Sequence, residues 1–565
     1  MKIDPIKLEV FHNALRSIVD EGYLALMRSA YSSNIKERHD HSAAIIDCDG
    51  RLVAQTERNI PMHMGSMFSF IGAIRRVFTP DAIKPGDIFV ANDPFHAGGT
   101  HLPDISLAIP IFDGDRLIAF FCNVAHHSDI GGIAPGGMDS RATEIYHEGL
   151  RIPPIKLVRE GVLDDRLLEL LLTNVRIPHE RRGDYYAQIA GCRLCDSRMK
   201  EVIGKYGSDF LLAAFDELIQ RTEMRMRRAL AAVKPGKYYF EDVMDSDGQG
   251  ARDIPIKVAI TVTEHKIEVD FSGTAAQVKG NINSPLSATV AAVGYAVKAM
   301  LDPAAPNNAG FFSIIDIIAP AGSLVHAVFP APVANRQQTC QRIADIIIGA
   351  LTPALPERGT AASHGATVLA GFASGSDAKQ LFIYLEVVAG GGGGRYVKDG
   401  KDGAQVHTTN SSNLPVEAIE LEYPLLVESY GFVQDSGGAG RHRGGLGIQR
   451  TLRYLCASQG TFSGHAERFT NRPWGVDGGE SAASGSYLLI RANGEQQQLD
   501  SKAAGIAVQE GDRVIATSPG GGGYGAPSAR APEALRADYT SGKYSLAFLQ
   551  QHYPDALLRQ AGLIG

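Results

Sequence analysis

Tryptophan and cysteine are scarce in this chain of 565 residues, which contains one Trp and six Cys. A single Trp gives little support to an aromatic surface that would stack on bases or glycans. Few and scattered cysteines are typical of a protein kept in a reducing compartment, so we expect a cytoplasmic protein.

Positive charge and long apolar runs are also lacking. The formal net charge is −7, which argues against nucleic acid as a partner because a polyanion attracts basic proteins. No apolar run approaches the roughly 20 residues that span a bilayer. The N-terminus, MKIDPIKLEV, has no signal-peptide pattern. We therefore expect neither nucleic acid nor a membrane among the partners.

Two common catalytic motifs are absent as well. The chain has no G-x-x-x-x-G-K-[ST] loop for binding nucleotide phosphates and no G-x-S-x-G elbow of a serine hydrolase. The run GGGGYG at 520–525 satisfies G-x-G-x-x-G, but Ala-Pro follows it instead of a helix, so a dinucleotide site is excluded. We interpret the glycine runs as tight turns and close backbone approaches. The alternative is that they line a passage to a partner's active site.

Length and glycine content are what the sequence has in excess, with 62 Gly concentrated in the second half. A chain of this length exceeds one hydrophobic core and predicts several domains. The mixture of helical and strand patterns predicts a multi-domain α+β fold with antiparallel sheets, rather than a regular βαβ alternation. The predicted divisions are an N-terminal α+β domain over 1–158, a helical segment over 159–235, a central α+β domain over 236–384, a glycine-rich β-rich domain over 385–527 and a C-terminal helical tail over 528–565.

Local patterns place the main elements within these divisions. Apolar residues at helical spacing predict helices over 5–34, 66–78 and 338–351. Apolar runs bounded by turn residues predict strands over 42–55, with a turn at its centre, and over 87–91, 105–112 and 116–125. The region from 160 to 232 is expected to be mostly helical, and the region from 236 to 330 to be rich in strands.

The stretch 95–132 predicts a β-hairpin, because two apolar runs flank the sequence FDGDR. If the loop is the Asp-Gly pair, His126 faces His101. If it is the Gly-Asp pair, His126 faces Pro103. Cross-strand neighbours have Cβ atoms about 5 Å apart, so either register brings His126 to the corner of the hairpin that holds His101 and Asp104.

Two imidazoles and a carboxylate at one corner are the ligand set of a divalent metal ion, and an open fourth position would make such a site catalytic. His101 and Asp104 are three positions apart, which a regular strand would direct to opposite faces. Pro103 argues instead for a bent backbone that aims both at one point. The alternative is that these are ordinary surface or turn residues at strand ends. His127 should point away from His126, where it could support a ligand or contact substrate.

Five blocks of the sequence stand in a recognisable order: NDPFHAGGTHLPDI, HHSDIGG, EGLRIPP, DSGGAGRHRGGLG and SPGGGGYGAP. They resemble the signature blocks of the hydantoinase B/oxoprolinase family, from near residue 5 to near residue 527. That family includes one half of ATP-dependent hydantoinases and lactamases, the corresponding part of 5-oxoprolinase and the metal-bearing subunit of ATP-dependent ketone carboxylases. The tail after 528 resembles nothing that we can place.

The resemblance implies a metal site formed by Asp40, in KERHDHS, together with His101, Asp104 and His126. The histidines on either side of Asp40 depart from the residues that are frequent in the family, so they add possible ligands. One divalent ion is expected, with Zn or Mn first, although the ligand set also suits Fe or Co.

The resemblance also implies the reaction. ATP and Mg would be bound by a separately encoded partner, a hydantoinase A-type actin-like ATPase subunit, which phosphorylates an amide or ketone oxygen. This chain would then hydrolyse the activated intermediate with water whose pKa the metal lowers. His127 or Glu148 is the expected base for the second proton. The alternative for Glu148 is a salt bridge within its loop.

The sequence thus predicts one subunit of a hetero-oligomeric, ATP-dependent hydrolase that opens a cyclic amide such as a hydantoin, 5-oxoproline or a lactam. Two alternatives stay open: the metal subunit of an ATP-dependent ketone carboxylase, and a structural partner without catalytic function. The modest length of the chain favours the hydrolase.

Overall fold

The computed structural model describes residues 3–375 and 381–565. The helices of this part of the chain are α1 (Pro5–Ser29), α2 (Ser33–Lys36), α3 (His63–Val77), α4 (Asp165–Thr173), α5 (Pro178–Tyr206), α6 (Ser208–Leu230), α7 (Leu286–Leu301), α8 (Ala309–Phe312), α9 (Arg336–Leu351), α10 (Val416–Glu422), α11 (Pro532–Thr540), α12 (Leu546–His552) and α13 (Asp555–Gln560).

The strands form four sheets and are β1 (His41–Asp47), β2 (Leu52–Gln55), β3 (Ile88–Ala91), β4 (Asp104–Asp113), β5 (Arg116–His126), β6 (Ile155–Arg159), β7 (Val162–Leu163), β8 (Gly236–Ser246), β9 (Arg252–Val262), β10 (Ile267–Asp270), β11 (Ile315–Ile318), β12 (Val368–Ser374), β13 (Ile383–Val388), β14 (Leu425–Phe432), β15 (Ile448–Tyr454), β16 (Gly460–His465), β17 (Ser486–Ile490), β18 (Gln496–Leu499), β19 (Ile506–Val508) and β20 (Arg513–Thr517).

The first sheet has the strand order β2-β1-β5-β4-β3-β6-β7 and is antiparallel in every pairing. Strands β1 to β5 of this sheet are buried on both faces, apart from the hairpin loop between β4 and β5. One face packs with α1 and α5, and the other joins a core that includes α3, α7 and α9. Burial on both faces explains why β4 and β5 are nearly continuous apolar runs instead of alternating ones.

Three smaller sheets complete the fold, with the orders β11-β10-β9-β8, β13-β12-β16-β19 and β14-β15-β20-β17-β18. The sheet of β8–β11 shares one hydrophobic core with the first sheet, so that core crosses the predicted divisions near 158 and 235. The last two sheets enclose a separate core. The domain limits given above therefore stay a prediction.

The predicted helix over 5–34 is wrong at its C-terminal end. Helix α1 ends at Ser29, and α2 begins only at Ser33. Between them, the backbone N–H groups of Tyr31 and Ser32 donate to Asp184 Oδ1 at 2.9 and 3.0 Å. This buried carboxylate of α5 holds the chain in an extended turn, a long-range contact that helical periodicity does not reveal.

The region predicted to be rich in strands also contains a helix that the sequence pattern did not indicate. Helix α7 is buried along most of its length and packs against α9 and α3. Its sequence, LSATVAAVGYAVKAML, is apolar and rich in small residues, so it has no polar face to mark helical periodicity. The predicted helix over 338–351 is confirmed as α9, and the C-terminal tail is helical as expected.

The glycine runs form a bundle of three extended segments, 390–394, 437–447 and 519–525, which we call the glycine bundle. Backbone hydrogen bonds join them: Gly445 N donates to Gly392 O, and Gly521 N donates to Gly445 O. A Cβ at Gly444 would lie 1.6 Å from Gly521 O, and one at Gly391 would lie 2.1 Å from Gly445 O. The predicted close backbone approach is confirmed, since main chains this close leave no room for a side chain.

The substitution Gly444→Ala is expected to destabilise the protein by about 3 kcal/mol, because the new Cβ would collide with the backbone of Gly521, which cannot move away. Gly431 in strand β14 is the matched control, since a Cβ there would have no atom within 4 Å. Gly431→Ala should change the stability by less than about 0.5 kcal/mol. Urea unfolding of both variants measures the difference, and equal midpoints would contradict the steric role of the bundle.

No helix within residues 3–375 and 381–565 combines the length and the apolarity that crossing a bilayer requires.

Candidate metal centre

Strands β4 and β5 form the predicted hairpin, with the Gly-Asp pair as its loop. A β-bulge near the loop shifts the register by one residue, so His126 pairs with Asp104. Both predicted pairings of His126, with His101 and with Pro103, are therefore wrong, because a bulge leaves no clear mark in the sequence. The shift brings His126 directly opposite Asp104, closer than either predicted register implied.

His101 lies in the turn that leads into β4, and its protonation is fixed by its surroundings. The Nδ1 atom lies 2.9 Å from the backbone oxygen of Ala334, which can only accept a hydrogen bond. Burial, together with the charge of Arg336, lowers the pKa of His101 and favours the neutral ring. A neutral ring with its proton on Nδ1 carries a lone pair on Nε2.

That lone pair faces a carboxylate oxygen. His101 Nε2 lies 3.2 Å from Asp104 Oδ1. Neither atom has a hydrogen-bond partner within the described residues, and both are buried. Two acceptors at this distance repel each other unless a cation lies between them. The pair therefore fits a metal ion, and the bond from Nδ1 to a carbonyl is the usual way in which a ligating imidazole is oriented.

Asp104 is held so that one oxygen stays free. Its Oδ2 accepts hydrogen bonds from Thr100 Oγ1 at 2.5 Å and from Arg336 Nη2 at 2.8 Å. Burial alone would raise the pKa of Asp104, but the imidazoles and Arg336 around it hold that pKa well below its ordinary value. Asp104 is thus an ionised carboxylate with Oδ1 directed at the imidazoles.

His126 completes a group of three whose donor atoms, one from each of His101, Asp104 and His126, lie within 4.8 Å of one another. The Nδ1 atom of His126 lies 3.0 Å from the amide nitrogen of Asn34. That contact makes Nδ1 the acceptor, so ligation through Nε2 requires the Asn34 amide to present its oxygen instead. Burial lowers the pKa of His126 to about 3, which keeps the ring neutral, as ligation requires.

A histidine that the sequence analysis missed also belongs to the cluster. His63, the first residue of α3, has Nε2 3.4 Å from Asp104 Oδ1 and 4.0 Å from Asp40 Oδ1. Its Nδ1 lies 3.0 Å from Ser42 Oγ, which orients the ring. The sequence signal is the block PMHMG before the helical pattern, which carries no ligand spacing of its own. Asp40 lies beside this ring at the edge of the group.

The two histidines beside Asp40, considered above as further ligands, point elsewhere. His41 stacks on Tyr23, with ring centroids 3.9 Å apart, and burial lowers its pKa to about 3. His39 has a φ of 57° and lies 3.3 Å from Ser412 Oγ. The chain alternates direction as it enters β1, so Asp40 alone of the three faces the cluster.

The structure places the two expected bases outside the group. His127 points to the other face of the sheet, as predicted, where Nε2 donates to Gln188 Oε1 at 3.0 Å and the ring packs on Tyr185. Glu148 is buried, and its Oε1 accepts the backbone N–H of Ala334 at 2.8 Å. Ala334 is the residue whose carbonyl contacts His101, so Glu148 supports that imidazole through the backbone of one residue.

A cavity opens onto the cluster and is lined by Asp40, His63, His101 and His126. Apolar side chains form much of its wall and come from distant segments: Ile60, Met62, Met138, Leu369, Leu385 and Val387. Arg38 also lines the cavity and donates through Nη1 to Leu385 O at 2.8 Å. The arrangement is a small, mostly apolar pocket with one polar end, where the imidazoles and carboxylates could hold a metal ion.

Comparison with known proteins shows which family and which solved structures this chain resembles. The sequence model of the family described as Hydantoinase B/oxoprolinase matches residues 4–527. A putative D-/L-hydantoinase subunit of Pseudomonas sp. strain NS671 is 35% identical over 557 residues, which cover 96% of this chain and 93% of that protein.

Two solved structures share the fold. The crystal structure of ATP-dependent caprolactamase from Pseudomonas jessenii matches with a TM-score of 0.91 and 28% identity, over 98% of this chain and 96% of that chain. The nucleotide-free structure of acetone carboxylase matches with a TM-score of 0.89 and 19% identity, over 97% of this chain and 79% of that one. These likenesses confirm the mixed α+β fold, and the second, at its low identity, bears on the fold alone.

Proposed function

This chain belongs to the hydantoinase B/oxoprolinase family, and on that premise we propose that it is the metal-bearing subunit of an ATP-dependent hydrolase of cyclic amides. The substrate class is a hydantoin, 5-oxoproline or a lactam. The related hydantoinase protein is named as a subunit, which supports a partner for this chain. An actin-like ATPase of the hydantoinase A type would bind ATP and Mg and phosphorylate the amide oxygen.

One observation carries the proposal: the unpartnered pair of His101 Nε2 and Asp104 Oδ1, 3.2 Å apart at the closed end of an apolar cavity. We assign the metal to His101, Asp104 and His126, with His63 and Asp40 beside them. Zn and Mn both suit imidazole and carboxylate ligands. When bound, such an ion supplies Lewis-acid activation of water towards a carbonyl carbon.

The remaining residues of the pocket bind and orient the substrate. The apolar wall from β12 and β13 packs against the ring of the amide and excludes bulk water. Arg38 faces the same cavity and suits the negative charge that O-phosphorylation places on the intermediate. Arg336 keeps Asp104 ionised, and Ala334 holds the proton of His101 on Nδ1.

The function is tested by purifying this chain together with its ATPase partner and following ring opening and ADP release. Hydantoin, 5-oxoproline and caprolactam are the first substrates. We expect ring opening of at least one of them that needs ATP, stops when the metal is chelated and returns when Zn or Mn is added. ATP-dependent incorporation of bicarbonate into a ketone, with no ring opening, would favour the carboxylase alternative. Turnover that is unchanged after complete removal of the metal would favour the alternative that this chain is a structural partner without catalytic function.

Glutamine at position 148 separates two roles for Glu148. Burial raises the pKa of Glu148 well above its ordinary value and so favours the uncharged acid. Glu148→Gln keeps an acceptor for the Ala334 N–H and should leave metal content and turnover within about threefold, whereas Glu148→Ala should weaken metal binding by roughly 10- to 100-fold. Metal titrations and turnover measure both. Loss of turnover with full metal content in Glu148→Gln would show that this carboxyl acts as a base.

A further inference from the structure

A second cavity, of about 460 Å³, lies apart from the metal cluster and is not used by the proposed function. Four cationic side chains line it: Arg358, Arg395, Lys398 and Lys401. Glu357 is the one carboxylate among the described residues that line it. The chain as a whole has a net charge of −7, so this concentration of positive charge is opposite to the charge of the protein.

Within the described part of the chain, none of these four cations forms an ion pair or a side-chain hydrogen bond, and the one carboxylate that senses any of them is Asp302, whose pKa Arg358 helps to lower from a distance. The arginines of neighbouring segments behave differently. Arg443 pairs with Asp402 at 2.7 Å, and Arg468 pairs with Asp345 at 2.9 Å. Like charges gathered in a concave surface focus a positive potential that attracts anions.

A buried polar pair also borders this cavity. His407 lines it with a side chain that is only 6% exposed, and its Nε2 donates to Asp345 Oδ1 at 2.8 Å. Asp345 Oδ2 accepts a hydrogen bond from Arg468 Nη2 at 2.9 Å, so the carboxylate that contacts His407 is itself held in place. With Nε2 committed to a carboxylate, the other ring nitrogen of His407 is left for a ligand.

We propose that this cavity binds a phosphate-bearing anion through Arg358, Arg395, Lys398 and Lys401, with His407 positioned by Asp345 at its wall. Guanidinium groups match the geometry of phosphate oxygens, and several cations favour an ion with more than one negative charge. The volume exceeds what orthophosphate needs and lies in the range of small-molecule sites. The phosphate group is therefore either a free ion or part of a nucleotide.

The position of the cavity fits such a ligand. The segment 404–411 runs from this cavity, which Val406 and His407 line, to the metal pocket, which Thr409 lines. Gln341 of α9 holds the middle of the segment, since its Nε2 lies 3.0 Å from Val406 O and 3.1 Å from Thr409 Oγ1. A phosphate bound here would lie next to the pocket without occupying the metal cluster.

Isothermal titration of the metal-free full chain tests the site without reference to turnover. Orthophosphate and ADP are the probes, and chelation removes binding of phosphate at the metal centre. We expect saturable binding that Arg395→Gln weakens about tenfold. Arg228→Gln is the matched control, because Arg228 is an exposed arginine of α6 that does not line the cavity. Lys401→Gln should also weaken binding, and it provides an independent test if Arg395→Gln does not fold.

The outcomes separate the sources of the phosphate group. Equal affinity for both probes means that the site binds the phosphate group alone, and tighter binding of ADP identifies a nucleotide; either supports the proposal. Absence of saturable binding by both probes would overturn it, as would binding that Arg395→Gln and Lys401→Gln leave unchanged. If neither probe binds but Arg395→Gln weakens assembly with the ATPase partner, the cations contact an acidic protein surface and the proposal is wrong.

Discussion

Replacing His101 with alanine is expected to remove the metal from the chain and to abolish ATP-dependent ring opening. Among the imidazoles of the cluster, His101 is the one whose lone-pair direction is fixed by a backbone carbonyl, and Asp104 Oδ1 faces that lone pair directly. Loss of a ligand should cost more metal affinity than the roughly 10- to 100-fold that loss of its supporting hydrogen bond costs. Elemental analysis of the purified chain should fall from about one equivalent of metal to almost none.

The matched control for this substitution is His265→Ala, which removes an exposed histidine from the turn between β9 and β10. It should keep both metal and turnover. Metal retained in full by His101→Ala would contradict the assignment of the ligands. Circular dichroism of both variants shows whether the fold is intact, and His101→Asn serves if the alanine variant does not fold.

Replacing Glu467 with glutamine is expected to destabilise the protein by roughly 3–5 kcal/mol, because it removes the counter-ion of the buried Lys502 and one of the two carboxylates that pair with the buried Arg342. Glu467 accepts from Arg342 Nη2 at 3.0 Å and from Lys502 Nζ at 2.8 Å, and both cationic side chains are only 1% exposed. It also accepts the backbone N–H of Asp245 at 2.9 Å. This carboxylate thus joins α9, β8 and the C-terminal half.

Glu241→Gln is the control for this second variant. Glu241 forms an ion pair with Lys257 at 3.0 Å, but its side chain is 70% exposed. Exposed pairs of this kind contribute about 0–1 kcal/mol. Urea unfolding and hydrogen exchange of the amides of α9 measure the two variants. Equal stability of Glu467→Gln and Glu241→Gln would mean that water or rearrangement compensates the buried cations.

Much of the fold could be predicted from the sequence where the signal is local. The hairpin of β4 and β5, helix α9 and the helical tail follow from turn residues and apolar spacing. The register of the hairpin could not be predicted from the sequence, because a bulge is set by packing on both faces of the sheet. The end of α1 could not be predicted either, because Asp184, a residue of another helix, fixes it.

In the candidate site too, only the residues that local sequence patterns bring together could be predicted. His101, Asp104 and His126 could be predicted, because one hairpin brings them together. His63 and Arg336 could not, since they reach the cluster from the first residues of α3 and α9, far along the chain. Side chains of this kind have no fixed sequence distance from the hairpin. Contacts between distant segments, and not residue type, decide their membership of the site.

The glycine bundle has a consequence for the order in which the protein is completed on the ribosome. The segment 390–394 follows β13 directly and finds its partners only in 437–447 and 519–525. Contacts between segments so far apart close late. The first sheet, with His101, Asp104 and His126, can therefore form while the C-terminal part is still being translated. During that interval the candidate ligands can already be assembled, while the side of the pocket formed by Leu385 and Val387 is still open to solvent.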